Sequence, residues 1–514
     1  MTDPDWNSLG KRWWSHVQVL ADPTMEGRET GSSGYERAAA YVSEQFHAAG
    51  LHPAGVEGFR QPVDFLVTEF DEAKSSLSLV RDGVTQPLKL REDAQLSVTS
   101  GTADETEAEA VFVGYGLDVP ELHYNDLEGL DLRGKIAVYF RGGPADMPSA
   151  IKAHYQSVEE RLKALRRAGV VGSVMMINPK VPDLPWPRIA TGLLLPRMEL
   201  TDPGHEAPRP LPLGMLFNPE RFDLLLAGSG HTAAEVMAGL GTASPLPRFP
   251  LAVKIHARVS LRRRPARCFN VVGVLPGADP ALRDEYVVGT AHLDHLGIGE
   301  PVNGNSVYVG AMDNASGVAT LIEIARSIKE SGAKPKRSIM FLAVTAEEKG
   351  LLGSQYFATH PTISGRLVAD LNMDMFMPLY PLKRLEVQGL GESTLGADLR
   401  ALGQESDVVV DSDYEPDRTL FIRSDQYNFV KEGVPSLMLS VGFVRGSADE
   451  ETSKVWFRER YHSPADNLDQ PVDLVSAAQF TQLLRRLMVK VANAEQRPSW
   501  NPDSFFNRFV HSPG

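Results

Sequence analysis

From residue 266 onward the chain alternates between short apolar runs and amphipathic stretches, and this alternation restricts the fold more than any other feature. The runs FNVVGVL, EYVVGTA, RSIMFLAV, GRLVADLNM and PSLMLSVG are rich in β-branched and large aliphatic residues. That is the composition of strands covered on both faces. Between them lie NASGVATLIEIARSIKESG (314–332) and SDQYNFVKEG (424–433), whose apolar positions return at helical spacing. Strands alternating with helices predict an α/β fold, a mostly parallel (mixed) sheet with helices on both faces.

The first 265 residues have a different texture. YERAAAYVSEQFHAAG (35–50) reads as an amphipathic helix closed by Gly50. The preceding MEGRETGSSG (25–34) is glycine-rich, but it lacks the lysine and the leading strand of a phosphate loop, so it reads as a structured loop. From about 103, AEAVFVGYGL and RGKIAVYFRGG are β-rich, SVEERLKALRRAGVVGSVMMIN gives a helix and a strand, and proline-rich segments follow. The expected organisation is an N-terminal segment (1–100) completing the main domain, an inserted α+β domain (101–255) and the α/β domain (256–514).

Composition excludes some functions. A net charge of -14 argues against a nucleic-acid binder or a protein of anionic membrane surfaces. No apolar run reaches the ~18 residues of a membrane span. Cys268 is the single cysteine, so no internal disulfide forms, and its apolar setting reads as a packed thiol. The N-terminus lacks the apolar stretch of a signal peptide. The chain as given is expected to be soluble and cytoplasmic, or periplasmic or extracellular if a signal has been removed.

Ligands of such sheets bind beyond the C-terminal ends of the strands, and this chain places titratable groups there. His292, Asp294 and His295 follow EYVVGTA; Asp313 opens the helix in GAMDNASG; Glu347 and Glu348 follow RSIMFLAV; Asp374 follows GRLVADLNM; His462 lies in YHSPADN. So many acids at one sheet edge would repel one another without cations. Histidine and carboxylate ligands with no thiolate suit zinc, and two metals sharing a bridging carboxylate accommodate the set. Of the adjacent glutamates, one can bind metal while the other faces the water as general base. Asp294, two residues after His292, is placed to hold the imidazole by its free nitrogen.

Taken in order, GTAHLDHLG, GAMDNASG, TAEEKGLLGS, LNMDM and YHSPADN resemble the motifs of the co-catalytic zinc aminopeptidase family, which includes glutamate-carboxypeptidase-like enzymes and glutaminyl cyclases. The insert resembles a protease-associated domain. The resemblance implies two zinc ions per chain: His292 and Asp374 on one, Glu348 and His462 on the other, with Asp313 bridging. It implies Glu347 as general base, Asp294 orienting His292, and a zinc-dependent exopeptidase, an aminopeptidase releasing N-terminal residues from peptides by metal-activated water attack. Asp425 and Tyr427 are candidate substrate-binding residues, Tyr427 or another nearby tyrosine serving as oxyanion donor. Gln426 stands where relatives carry histidine, so a different substrate pocket is expected. His295 reads as structural or as support behind the ligands. Alternatives are a carboxypeptidase or dipeptidase, with Arg423, Arg445 or Arg458 clamping a carboxylate, and a non-catalytic receptor-like module.

Overall fold

The apolar runs of the C-terminal half pair into one sheet in the computed structural model, which describes residues 5–97, 104–180, 184–202, 210–415 and 418–510. Strands β1 (Leu261–Leu275), β2 (Glu285–His292), β3 (Ser338–Val344), β4 (Arg366–Asn372), β5 (Arg384–Gln388), β6 (Val409–Ser412) and β7 (Ser436–Val441) take the order β1-β3-β2-β4-β7-β5-β6. β3 and β4 flank β2 in parallel, and β7 continues parallel to β4. β1 and β5 join antiparallel, so the sheet is mixed around a parallel centre, as the sequence predicts. β3 is buried throughout, because both of its faces are covered and its sequence has no polar face to offer.

The register positions the site. His292 pairs with Val344, and Thr290 pairs with Asn372, so the three central strands end together. The segments leaving them, Leu293–His295, Thr345–Lys349 and Met373–Asp374, emerge at one edge.

Helices α1 (Trp6–Leu20), α2 (Ser33–Ala48), α3 (Ser316–Ser331) and α4 (Leu474–Asn493) pack around this sheet. α2 starts where Ser32 accepts from the Tyr35 amide, and Gly50 follows its end with φ +79. The Trp13 indole donates to Ser316 O and Thr320 Oγ1, both at 3.1 Å. Gly10 is needed for close approach, since a Cβ there would lie 2.1 Å from Leu474 O. The main unit thus comprises Met1–Phe65, Ala266–Tyr414 and Leu420–Gly514. Among the described residues no helix is long and apolar enough to cross a membrane.

The second unit comprises Leu66–Pro265 and Glu415–Thr419. Its sheet runs Val84–Leu88, Ser76–Arg81, Arg248–Arg258, Glu105–Val113, Ile136–Phe140, Gly172–Met176, Leu213–Phe217, Ala94–Leu96, over a core containing Phe112, Phe140, Phe217 and Phe222. The unit starts at Leu66, not at 101, because the strands at Ser76–Arg81, Val84–Leu88 and Ala94–Leu96 pair into this sheet. It extends past 255 because Arg248–Arg258 is one of its interior strands.

Candidate metal centre

Asp313 sits at the middle of the strand-end cluster. The Gly310–Asp313 turn that carries it is held from behind by Asp466, whose carboxylate accepts from the Met312 and Asp313 amides at 3.0 Å each. Asn314 ties the same turn to the loop after β4, donating to Met373 O at 2.8 Å and accepting from the Gly317 amide at 3.0 Å. Asn314 therefore supports the start of α3, and Ser316 donates to Met312 O.

The two oxygens of Asp313 face different histidines. Oδ1 lies 3.2 Å from His292 Nε2, and Oδ2 lies 3.2 Å from His462 Nε2. His292 Nε2 is also 3.2 Å from Asp374 Oδ1, and His462 Nε2 is 3.2 Å from Glu348 Oε2. All five sequence-predicted ligands therefore converge. His295 joins them: its Nδ1 is 2.8 Å from Glu348 Oε1 and 3.9 Å from Asp313 Oδ2.

The donor set fits a metal. His292 Nδ1 faces the carbonyl of Asp294 at 3.0 Å, and a carbonyl can only accept, so Nδ1 carries the proton. In the neutral imidazole Nε2 then holds a lone pair aimed at two carboxylates. Asp313 Oδ2 has no hydrogen bond even though His462 Nε2 is close. Such contacts, short in distance but wrong in angle, arise when atoms aim at a common point instead of at each other. Two sets of ligand atoms lie close enough to hold an ion: His292, Asp313 and Asp374, and His295, Asp313 and Glu348.

Burial and charge pull the two adjacent glutamates apart. Burial pushes the Glu347 carboxyl well above its usual value, and Asp374, Glu348 and Asp425 reinforce it against the opposing pull of His292. Burial acts in the same sense on Glu348, but His462 and His295 overcome it and hold that carboxyl low. Ala346, just before them, has φ +56 and turns the chain where β3 ends. The neighbours thus have opposite proton affinities, one ligand-like and one base-like.

One expectation changes in detail. The Asp294 carboxylate lies 4.0 Å from His292 Nδ1 and does not hold the imidazole; its backbone carbonyl does. The carboxylate instead accepts from the amides of Glu347 and Glu348 at 3.1 and 3.3 Å, because the loop after β3 brings unsatisfied amides to it. Gln426 is buried and accepts from Asn372 at 2.7 Å while donating to Phe421 O, so it braces the strand before Asp374. Asp425 has no exposed surface, and its charge acts on His292 and Asp374 from beneath the cluster. Tyr427 is buried in the same short helix, with Lys431 over its ring.

Sequence reasoning passed over Tyr461 and Asp466, although both stand in YHSPADN. The Tyr461 ring packs on His462 with centroids 4.0 Å apart, and burial with the nearby acids keeps its phenol protonated. Of the candidate clamp arginines, Arg423 is near enough for its charge to act on Tyr461. Arg445 donates to Tyr414 O, and Arg458 pairs with Glu459 at an exposed position.

The fold and this donor set define an α/β protein with a buried histidine–carboxylate cluster, able to hold a metal, at the C-terminal edge of its sheet. Residues 270–488 match the model of peptidase family M28. It is 28% identical over 231 residues to a probable leucine aminopeptidase 2 of Aspergillus oryzae, covering 42% of this chain and 43% of that protein. It is 38% identical over 112 residues to a probable zinc metalloprotease of Pyrenophora teres f. teres, covering 22% and 23%. The chain thus spans less than half the length of these curated relatives. Among solved structures, the aminopeptidase from Aneurinibacillus sp. strain AM-1 superposes with TM-score 0.58 at 20% identity, over 98% of this chain and 96% of that one. A zinc aminopeptidase from Bacillus subtilis does so with TM-score 0.50 at 19% identity, over 95% of each.

Proposed function

We propose that the protein is a zinc-dependent exopeptidase acting as an aminopeptidase on peptides, with two zinc ions per chain. The observation that carries the reading is Asp313, whose two oxygens each lie 3.2 Å from a different histidine, the arrangement a bridging ligand requires. His292 and Asp374 would hold one ion and His462 and Glu348 the other, with Asp313 shared and His295 holding Glu348 in place. Zinc bound there supplies Lewis acidity, polarising the scissile carbonyl and lowering the pKa of the attacking water.

The remaining roles belong to side chains. Glu347, beside the ligands but outside both sets, takes a proton from water on its carboxylate and returns it to the leaving amine nitrogen. The Tyr461 phenol, held protonated, donates a hydrogen bond to the oxygen that gains charge. Asp425 is buried near enough for its charge to act on His292, and because burial pushes its carboxyl up to about 7 it would add negative potential there only once that carboxyl ionises. The second unit would act as the protease-associated module that its GYGL and GKIAVYFRGG runs suggest.

The test is a panel of free and N-acetylated aminoacyl-p-nitroanilides and dipeptides, with and without chelator. Turnover confined to free amines and abolished by chelator is the expected result. Turnover that requires a free C-terminal carboxylate would replace the proposal with a carboxypeptidase using Arg423. Stoichiometric zinc without hydrolysis of any peptide would favour a binding module.

A further inference from the structure

The stretch MEGRETGSSG supplies no metal ligand, yet successive residues of it bond to the loops that do. Gly27 has φ +65, and a Cβ there would meet Tyr308 O at 2.3 Å and Gly297 O at 2.6 Å; the backbone can pass so close only as glycine. This approach delivers Arg28, which is fully buried. Its Nε donates to Leu293 O at 2.9 Å, its Nη1 to Leu20 O and Val309 O at 2.6 Å each, and its Nη2 to Gly310 O at 3.0 Å. Leu293 adjoins His292, and Val309 and Gly310 lead into the Asp313 turn. The Arg28 carbonyl in turn accepts from the His295 amide at 3.3 Å.

The next two residues reach the other ligand loop. Glu29 pairs with Lys349 at 2.9 Å. The Thr30 hydroxyl donates to Asp294 Oδ2 at 3.2 Å and accepts from the Ala346 amide at 3.1 Å, just before Glu347 and Glu348. Among the described residues Arg28 has carbonyl partners and no carboxylate in direct contact, so its buried charge is balanced through space by Asp466, Asp313, Asp294 and Glu348. A guanidinium placed among carbonyls sets main-chain positions through its fixed fork of donors.

We propose that Gly27–Thr30 is a positioning element of the metal centre: Arg28 and Thr30 fix the main chain that carries His292, Asp313 and Glu348, without themselves contacting metal or substrate. The consequence for catalysis rests on the metallopeptidase reading; the bracing of the loops does not.

The experiment compares Thr30→Val, Thr30→Ser and Arg28→Lys with the wild-type chain. Zinc affinity is measured by chelator competition, kcat and KM on a cleaved substrate, and amide hydrogen exchange on metal-free protein. In Thr30→Val, zinc affinity should fall about 10–100-fold, as for loss of a partner that orients ligands. kcat should fall with KM little changed, and exchange should quicken at 345–349 with the remaining amides unaffected. Thr30→Ser should restore all three. Arg28→Lys should quicken exchange at 309–313. Because Arg28→Lys can compromise folding, the Thr30 pair decides. Wild-type exchange and wild-type zinc affinity in Thr30→Val would overturn the proposal. If the wild-type chain binds no zinc, the peptidase reading fails, and the exchange comparison still decides whether Gly27–Thr30 braces the loops.

Discussion

Glu347 and Glu348 are covalent neighbours to which the proposed mechanism gives different work, and substitution should separate them. Glu347→Gln should lower kcat by about 10²–10⁴-fold, the range for removing a general base, with zinc content measured by elemental analysis unchanged. A variant that loses zinc as well would place Glu347 among the ligands. Cys268 gives a second test. Burial pushes its thiol up to about 12, so thiol reagents at pH 8 should leave native protein unlabelled and react only after denaturation. Labelling of the native chain would show that the strand carrying Cys268 opens readily. At this scale the positions of His292, Glu347, Glu348 and Asp374 were legible because each follows an apolar strand, where a polar side chain reaches the sheet edge, whereas Asp313 and His462 stand in turns and were singled out by their motifs. The contact of His295 with Glu348 was not legible, since the direction of a loop side chain depends on turns such as the one at Ala346. The part played by the Asp294 carbonyl was hidden for a related reason: every residue has a carbonyl, and sequence does not say which one a ring nitrogen will find.

Among the elements, β2 and β3 are joined at the end away from the metal site by a buried ion pair. Arg337 Nε lies 2.7 Å from Glu285 Oε2, and Arg497 approaches the other oxygen at 2.7 Å. Burial alone would raise the Glu285 carboxyl, but Arg497 and Arg337 outweigh it and hold it below the usual value. With the folded value below the unfolded one, the pair stabilises the protein above the ordinary glutamate range, and that contribution is lost as pH falls through the lowered folded value. Glu285→Ala leaves Arg337 buried without its partner and should cost about 3–5 kcal/mol at pH 7. Urea melts of both proteins should show the difference shrinking only as pH falls below the ordinary glutamate range and through the lowered folded value; a difference independent of pH would mean the loss is one of packing. The elements themselves were legible from periodicity, α2 and α3 down to their terminal glycines. The division of the chain was not. The strands from Ser76 to Leu96 look alike whichever sheet they join, and only long-range pairing assigns them to the second unit.

Across the whole molecule, the acidic cluster at the sheet edge makes stability depend on bound metal. Its carboxylates are buried together, and a cation bound to the folded state alone adds RT ln(1 + [L]/Kd), ~2.7 kcal/mol at a hundredfold excess over Kd. Chelator should therefore lower the melting temperature measured by calorimetry, and added zinc should restore it. A melting temperature indifferent to chelator would count against a resident metal. The Gly27–Thr30 brace has a further consequence, one of timing. Arg28 bonds to Leu293 and Gly310, 265 and 282 residues further along the chain. During synthesis its guanidinium leaves the ribosome long before any of those carbonyls exist, and it cannot be buried without acceptors. The N-terminal stretch must stay hydrated until most of the protein has been made. A nascent chain thus passes through translation with its histidine–carboxylate cluster unassembled, and the site comes together only when synthesis is nearly over.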